Sequence, residues 1–100
     1  MTEKELEQWA YAKAKSVGML LLKQTSQTGI PDRILMTPQA FCFIEFKRPD
    51  GKGRLSPSQY VTHKRLRERG YTVHVVDSKE QFINIINEVQ TAKFIEKCED

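Results

Sequence analysis

Residues 29–47 read GIPDRILMTPQAFCFIEFK and contain two short apolar segments on either side of a turn sequence. Segments 33–36 and 41–47 are rich in large aliphatic and aromatic residues, which favour β-strands. Between them, Pro38 is suited to the second position of a β-turn. This stretch predicts an antiparallel hairpin, and the rest of the fold is built around it.

Three charged residues lie at the ends of this hairpin although the hairpin does not require them. If Met36 lies opposite Phe41, Asp32 falls opposite Glu45, within a residue or two, and like charges at opposed positions destabilise a sheet. Glu45 and Lys47 are two residues apart on one strand, so both point to the same face. The pattern predicts two carboxylates and an ammonium on one small surface.

A divalent cation that prefers oxygen ligands would turn this repulsion into a binding site. Magnesium takes one or two carboxylates together with water and substrate phosphate. We predict Asp32 and Glu45 as ligands, with the backbone carbonyl of Phe46 as a further one, and Lys47 as the group that polarises the attacking water. The structural alternatives are a turn cap at Asp32 and a weak surface ion pair between Glu45 and Lys47.

The first helix is predicted over residues 2–17, because Thr2 and Glu5 form a capping box and an apolar stripe follows. That stripe consists of Leu6, Trp9, Ala10, Ala14 and Val17. Glu3 lies closest to the stripe among the remaining acids and is expected to face the sheet. Glu7 stays open as the alternative.

The remaining elements complete a mixed sheet. Residues 19–23 predict a first strand, residues 56–69 a helix capped by Ser56 and Gln59, and residues 71–76 a last strand. Strand, helix and strand in this order are typical of a parallel crossover. The fold class is therefore α/β, with the order αβββαβα, a four-stranded mixed sheet flanked by helices, and one domain over residues 1–100.

The last helix is predicted to begin after Asp77 or Ser78. We expect its inward-facing side chains to be Phe82, Ile83, Ile85, Ile86 and Val89. Residues 90–100 place apolar side chains in a charged context. This tail is expected to fray or to contact a partner chain.

Composition sets limits on function. Hydrophobic residues make up 39% and charged residues 29% of 100 residues, which is typical of a globular chain. No apolar run is long enough for a membrane span, and the polar start lacks a secretory signal, so the cytoplasm is the expected location. Cys42 is expected in the core and Cys98 on the surface. His63 and His74 lack the spacing of zinc ligands.

The charge distribution favours a polyanionic partner. The net charge is +3 and the pI about 9.0. Lys and Arg concentrate between residues 47 and 69, whereas the two ends of the chain carry most of the acids. Nucleic acid is a natural partner for such a surface, and a solvated basic helix face is the alternative.

Five motifs in this order resemble the VRR-NUC domain, the virus-type replication-repair nuclease branch of the PD-(D/E)xK superfamily. They are an early helix Glu in TEKELE, G-x-P-D at 29–32, E-x-K at 45–47, S-P-x-Q at 56–59 and G-Y-x-V-x-V-V-D at 70–77. The resemblance covers residues 3–89 and implies a restriction-endonuclease-like core.

The resemblance also implies the chemistry. It implies phosphodiester hydrolysis dependent on Mg²⁺ or Mn²⁺, with Glu3 (directly or through water), Asp32 and Glu45 as metal-site acids and Lys47 as the catalytic lysine. Gln59 is implied to act near the site, although the capping box explains it as well. Small members of the family are similar to Holliday-junction resolvases and occur in phages and bacteria. The resemblance therefore implies branched DNA as the substrate, and because so short a chain has little surface to hold it, we expect a homodimer, with no membrane partner and no small-molecule cofactor.

The basic residues supply candidate phosphate contacts: Lys23, Arg33, Arg48, Lys52, Arg54 and Lys64. Lys52 and Arg54 are favoured, since Gly51 and Gly53 let the backbone approach DNA closely. None of the six is expected to recognise bases, so binding should select DNA structure. A non-catalytic DNA-binding or assembly module, and a protein-interaction module built on the last helix, remain the alternative functions.

Overall fold

The computed structural model describes residues 1–25, 27, 29–38 and 40–99, with side chains through residue 90. The elements follow the predicted αβββαβα order. They are α1 (Glu3–Ser16), β1 (Leu20–Lys23), β2 (Arg33–Met36), β3 (Phe41–Phe46), α2 (Pro57–Glu68), β4 (Val73–Val76) and α3 (Lys79–Glu99). The predicted first, third and fourth strands are thus each one or two residues too long.

The described strands form one mixed sheet in the order β1-β2-β3-β4. The first two pairings are antiparallel and the last is parallel. Met36 lies opposite Phe41, as the turn sequence predicted, and the Thr37 amide donates a hydrogen bond to the Ala40 carbonyl. This register brings Asp32, one residue ahead of β2, to the level of Glu45.

One face of the sheet carries the hydrophobic core. Alternate strand residues point to this face, where α1 and α3 cover them. Phe46 is fully buried there and its ring lies 6.0 Å from that of Phe82 on α3. Cys42 is buried on the same face, as predicted. The core consists of Leu6, Ala10, Ala14, Met19, Leu21, Leu35, Cys42, Ile44, Phe46, Val76, Phe82, Ile85 and Ile86.

Helix α2 lies on the other face, over β3 and β4. Its first turn is fixed by a capping box, in which Ser56 and Gln59 exchange side-chain and backbone hydrogen bonds. The side chains of Gln59 and His63 approach residues on this face of β3. Because α2 covers only the β3–β4 side, it closes a small site over the end of β3.

The last helix corrects one prediction. Ile83 was expected to face inward, but it is 38% exposed, whereas Phe82, Ile85 and Ile86 are buried. Ile83 is one residue from Phe82, which turns its side chain about 100° away from the buried stripe. Ser78 caps this helix by accepting a hydrogen bond from the Gln81 amide. The predictions for Cys98 and for the tail's side chains lie outside the described residues.

Among the described residues, no helix combines the length and the apolar character that crossing a bilayer would require.

Candidate active site

The centre of the site is a pair of carboxyl groups. Glu45 points from β3 toward α2 and is only 2% exposed, and the carboxyl of Asp32 lies within hydrogen-bonding reach of it. Burial, followed by the neighbouring Asp32, raises the pKa of Glu45 to about 8. Burial and the neighbouring acid thus favour the protonated form of Glu45 in the metal-free protein. Asp32 and Glu45, two of the three predicted metal-site acids, therefore lie next to each other in the structure.

Lys47 lies on the same face, two residues further along the chain. Its Nζ donates a hydrogen bond of 3.0 Å to Oε1 of Gln59 and lies 4.0 Å from Oε2 of Glu45. The same oxygen of Gln59 accepts a 2.9 Å hydrogen bond from the Ser56 amide. Gln59 thus caps α2 and holds the lysine at once, so the capping and site positions predicted for it are compatible.

His63 is a site residue that the sequence reasoning missed. Its side chain is fully buried, and its Nε2 lies 3.7 Å from Oε1 of Glu45, which is too long for a hydrogen bond. Both ring nitrogens and this oxygen are buried without a hydrogen-bond partner among the described residues. Burial, then the positive charges of Arg67 and Lys47, lower the pKa of His63.

A signal for His63 was present in the sequence. His63 follows Gln59 by four residues on α2, and residues four apart share one face of a helix. A histidine on the face that carries a site residue is a candidate for the same site. The test of zinc-ligand spacing, which His63 does not meet, does not reveal this position.

Gly29 brings the Asp32 loop against α2. Its φ is +90°, in the left-handed region that favours glycine. A Cβ at this position would lie 2.9 Å from Oγ1 of Thr62 and 3.0 Å from the carbonyl oxygen of Ser58. The backbone before Asp32 can therefore pack against the helix only because residue 29 has no side chain.

A basic cleft opens beside the carboxyl pair. It has a volume of about 300 Å³ and is lined by Glu3, Lys47, Arg48, Lys52, Gly53 and Arg54. Gly53 passes close to the strand end, since a Cβ there would lie 3.1 Å from both Cβ of Lys47 and the Arg48 amide. The loop after β3 thus folds over Lys47 and turns its cations toward the site.

The structure distinguishes Glu3 from Glu7, the two acids of α1 that were the alternatives for the site. Glu3 lines the cleft. Glu7 instead forms an ion pair with Arg33. Arg33 also donates to the Leu21 carbonyl and lies 5.9 Å from the Tyr11 ring. Glu3 is therefore the α1 acid that faces the site.

The position of Arg33 corrects its prediction as a DNA contact. Arg33 pairs with Ile44 in the sheet and so points to the core face, away from Glu45. Its guanidinium joins β2 to α1 and is mostly buried. The predicted hairpin register already places Arg33 on the face opposite Glu45, because side chains alternate along a strand.

The other predicted phosphate contacts are on the surface. Lys23, Arg48, Lys52, Arg54 and Lys64 are exposed. Within the loop after β3, Asp50 pairs with the Arg48 guanidinium and accepts from the Lys52 amide, while Arg54 donates to the carbonyls of Gly51 and Gly53. These bonds keep the loop compact and leave its cations beside the cleft.

The donor set fits a hard divalent cation with few protein ligands. No group of three or more His, Cys, Asp or Glu among the described residues is close enough to hold a metal ion. Asp32 and Glu45 supply two carboxyl groups, and Oε1 of Glu45 is a buried oxygen that finds no hydrogen-bond partner within the described part of the chain. Two carboxylates completed by water suit Mg²⁺. Because the three acids do not cluster, Glu3 fits a contact through water rather than a direct one.

Comparisons with known proteins identify the family of the chain. The sequence profile of the VRR-NUC domain matches residues 2–80. A solved structure described as a VRR_NUC domain matches with a TM-score of 0.76 at 28% sequence identity, covering 87% of this chain and 97% of the other. No curated protein sequence matches. The chain therefore belongs to the VRR-NUC domain family and is a nuclease-type domain that acts on DNA.

Proposed function

We propose that the protein is a DNA endonuclease that depends on Mg²⁺ or Mn²⁺ and selects DNA structure, with branched DNA such as four-way junctions as its substrate. The observation that carries this proposal is the pairing of half-buried Asp32 with fully buried Glu45, with the Lys47 ammonium beside them. A protein gains no stability from pressing two carboxyl groups together where one of them is buried. A divalent cation bound by both carboxylates would offset their repulsion and so explain the arrangement.

Asp32 and Glu45 would hold the ion, with the Phe46 carbonyl as a further ligand and Glu3 contributing through water. When bound, the ion supplies a nucleophile at neutral pH and neutralises charge on the phosphate. Lys47 is held in place by Gln59, so its ammonium can orient the attacking water and balance charge on the reacting phosphate. These roles give each of the five predicted catalytic residues a defined task.

The DNA contacts we propose surround the cleft. Arg48, Lys52 and Arg54 line it and would bind the phosphates on either side of the scissile bond. Lys23 and Lys64 are exposed further away and would contact more distant phosphates. None of these side chains is organised to form bidentate contacts with bases, so the proposed selectivity is for DNA structure.

The proposed enzyme is a homodimer in the cytoplasm of a bacterial or phage-infected cell. One cleft of about 300 Å³ can hold only a short piece of one strand. Two symmetric cuts on a branched substrate require two sites, which a two-fold dimer supplies.

A cleavage panel tests the proposal. Linear duplex, flap, splayed arm and four-way junction are each incubated with Mg²⁺, Mn²⁺ or a chelator. Asp32→Ala and Lys47→Ala are expected to lower the cleavage rate by about 10²–10⁴-fold while DNA binding persists. Glu80→Ala removes an exposed acid of α3 and serves as the matched control.

Two results would contradict the proposal in different ways. Wild-type cleavage rates in both site variants would show that the residues are misassigned. DNA binding without cleavage under any metal condition would instead favour the non-catalytic module.

A further inference from the structure

The sheet is apolar on both faces although the described chain covers only part of the second one. Strands with apolar residues on both faces are typical of sheets that are covered on both sides. Helices α1 and α3 cover the core face. On the other face, α2 lies over β3 and β4 and leaves β1, β2 and the first half of β3 open.

The uncovered area is a continuous patch, which we call the open sheet face. Its two cross-strand rows are Leu20, Met36 and Phe41, and Leu22, Ile34 and Phe43. Tyr71 extends it, with its ring 6.1 Å from Phe41 and 6.2 Å from Phe43. Leu20 is 61% exposed, and Phe41 and Tyr71 are each 46% exposed. An ordinary soluble sheet carries polar residues at such positions.

The size and chemistry of this face point to a protein partner. Its side chains expose roughly 500 Å² of apolar surface, at the upper end of what monomeric proteins show. A standard interface buries about 800 Å² on each partner, so this face supplies most of one. The two rows contain no charged side chain, which argues against a nucleic acid as the occupant.

We infer that the open sheet face is covered by the same face of a second copy of this chain, packed sheet against sheet around a two-fold axis. An uncharged apolar face is complementary to itself, as an isologous interface requires. Glu45 follows Phe43 on the same side of β3 by about 7 Å. Each active site therefore lies at the margin of the interface, and the dimer holds its two clefts at a fixed separation.

This assignment deepens the homodimer of the proposed function, but its test does not need cleavage. Sedimentation velocity is measured on the wild-type chain and on Met36→Lys, which places a charge in the central strand of the face. The wild type is expected to dimerise, and Met36→Lys to raise the dimer dissociation constant by about a hundredfold or more. Phe41→Ser is a second variant should Met36→Lys fail to fold, with folding checked by circular dichroism.

The control is Val61→Lys, which adds the same charge at an exposed apolar position of α2 and should leave the dimer intact. A monomeric wild type, or face variants that dimerise as the wild type does, would overturn the inference. Loss of the dimer in Val61→Lys alone would move the interface to α2 and also overturn it. A dimer that never cleaves DNA would support this interface and contradict only the proposed nuclease activity. A monomer that cleaves DNA would contradict the interface and support the nuclease activity.

Discussion

The carboxyl of Glu45 determines how the stability of the metal-free protein depends on pH. Its pKa is raised from 4.5 to about 8 in the folded state, chiefly by burial. The unfolded chain therefore loses this proton at lower pH than the folded one. Below about pH 4.5 both states hold this proton, so the folded protein keeps its full stability. Between about pH 4.5 and 8 the free energy of unfolding falls as pH rises.

We expect the free energy of unfolding, measured with denaturant and a chelator present, to drop by a few kcal/mol across this range, at most about 1.4 kcal/mol per pH unit. Glu45→Gln should flatten the dependence, because its amide does not titrate. A profile that stays equally steep in Glu45→Gln would mean that another group causes it.

His63 provides a second prediction at this scale. Replacing it with Leu removes two buried nitrogens without hydrogen-bond partners among the described residues, so the metal-free protein should become more stable by about 1 kcal/mol. The ring also lies beside the proposed ligand, with Nε2 3.7 Å from Oε1 of Glu45, so the affinity for Mn²⁺ should fall about tenfold or more. Calorimetric titration with Mn²⁺ and thermal unfolding measure the two effects.

The matched control for this experiment is His74→Leu, which changes a histidine of β4 that faces away from the carboxyl pair. It should leave Mn²⁺ affinity unchanged. If His63→Leu binds Mn²⁺ as well as the wild type does, the imidazole only fills space.

Among the elements, the loop before β2 depends on Gly29. Ala at this position keeps the unfavourable positive φ and adds a Cβ that meets Thr62 and Ser58 of α2. We expect Gly29→Ala to cost roughly 1–3 kcal/mol of stability and to displace Asp32, with loss of Mn²⁺ binding. Gly70→Ala is the control, since Gly70 has φ +90° with no atom near its missing Cβ. Equal losses in both variants would show that backbone strain, not contact with α2, explains the effect.

Sequence reasoning succeeded where an element's neighbours in the chain fix its geometry. A turn sequence and two short strands determine the register between Met36 and Phe41, and that register brings Asp32 to Glu45. The capping box of α2 likewise fixes Gln59 at the helix start, next to the end of β3. In both cases the decisive distances span fewer than twenty residues of sequence.

It failed where the outcome depended on contacts between distant elements. Glu7 of α1 and Arg33 of β2 are 26 residues apart, and no local pattern predicts that they form an ion pair. Because Glu7 is engaged in this way, Glu3 is the acid that lines the cleft. His63 enters the site because α2 packs over β3. Ile83 is a different case, because the local 100° step from Phe82 along α3 is enough to turn it outward.

At the scale of the whole molecule, four of the 16 Lys and Arg residues line a single cleft: Lys47, Arg48, Lys52 and Arg54. Lys52 and Arg54 stand beside the cleft, whereas Lys15 lies in the last turn of α1, about 18 Å along that helix from Glu3. If the cleft holds the phosphodiester, Lys52→Ala should weaken binding to every DNA sequence alike. It should also reduce the slope of log K against log salt concentration by about 0.9, the release of one counterion.

Fluorescence anisotropy over a salt series, without divalent metal, measures this slope. Lys15→Ala removes the same charge at a site where no phosphate should approach, so its slope should match the wild type. If net charge alone determined binding, the slope would fall equally in both variants, because each loses one cation from a chain of net charge +3. Equal slopes for the two variants would therefore place the DNA elsewhere, and a difference confined to Lys52→Ala would fix its path across the cleft.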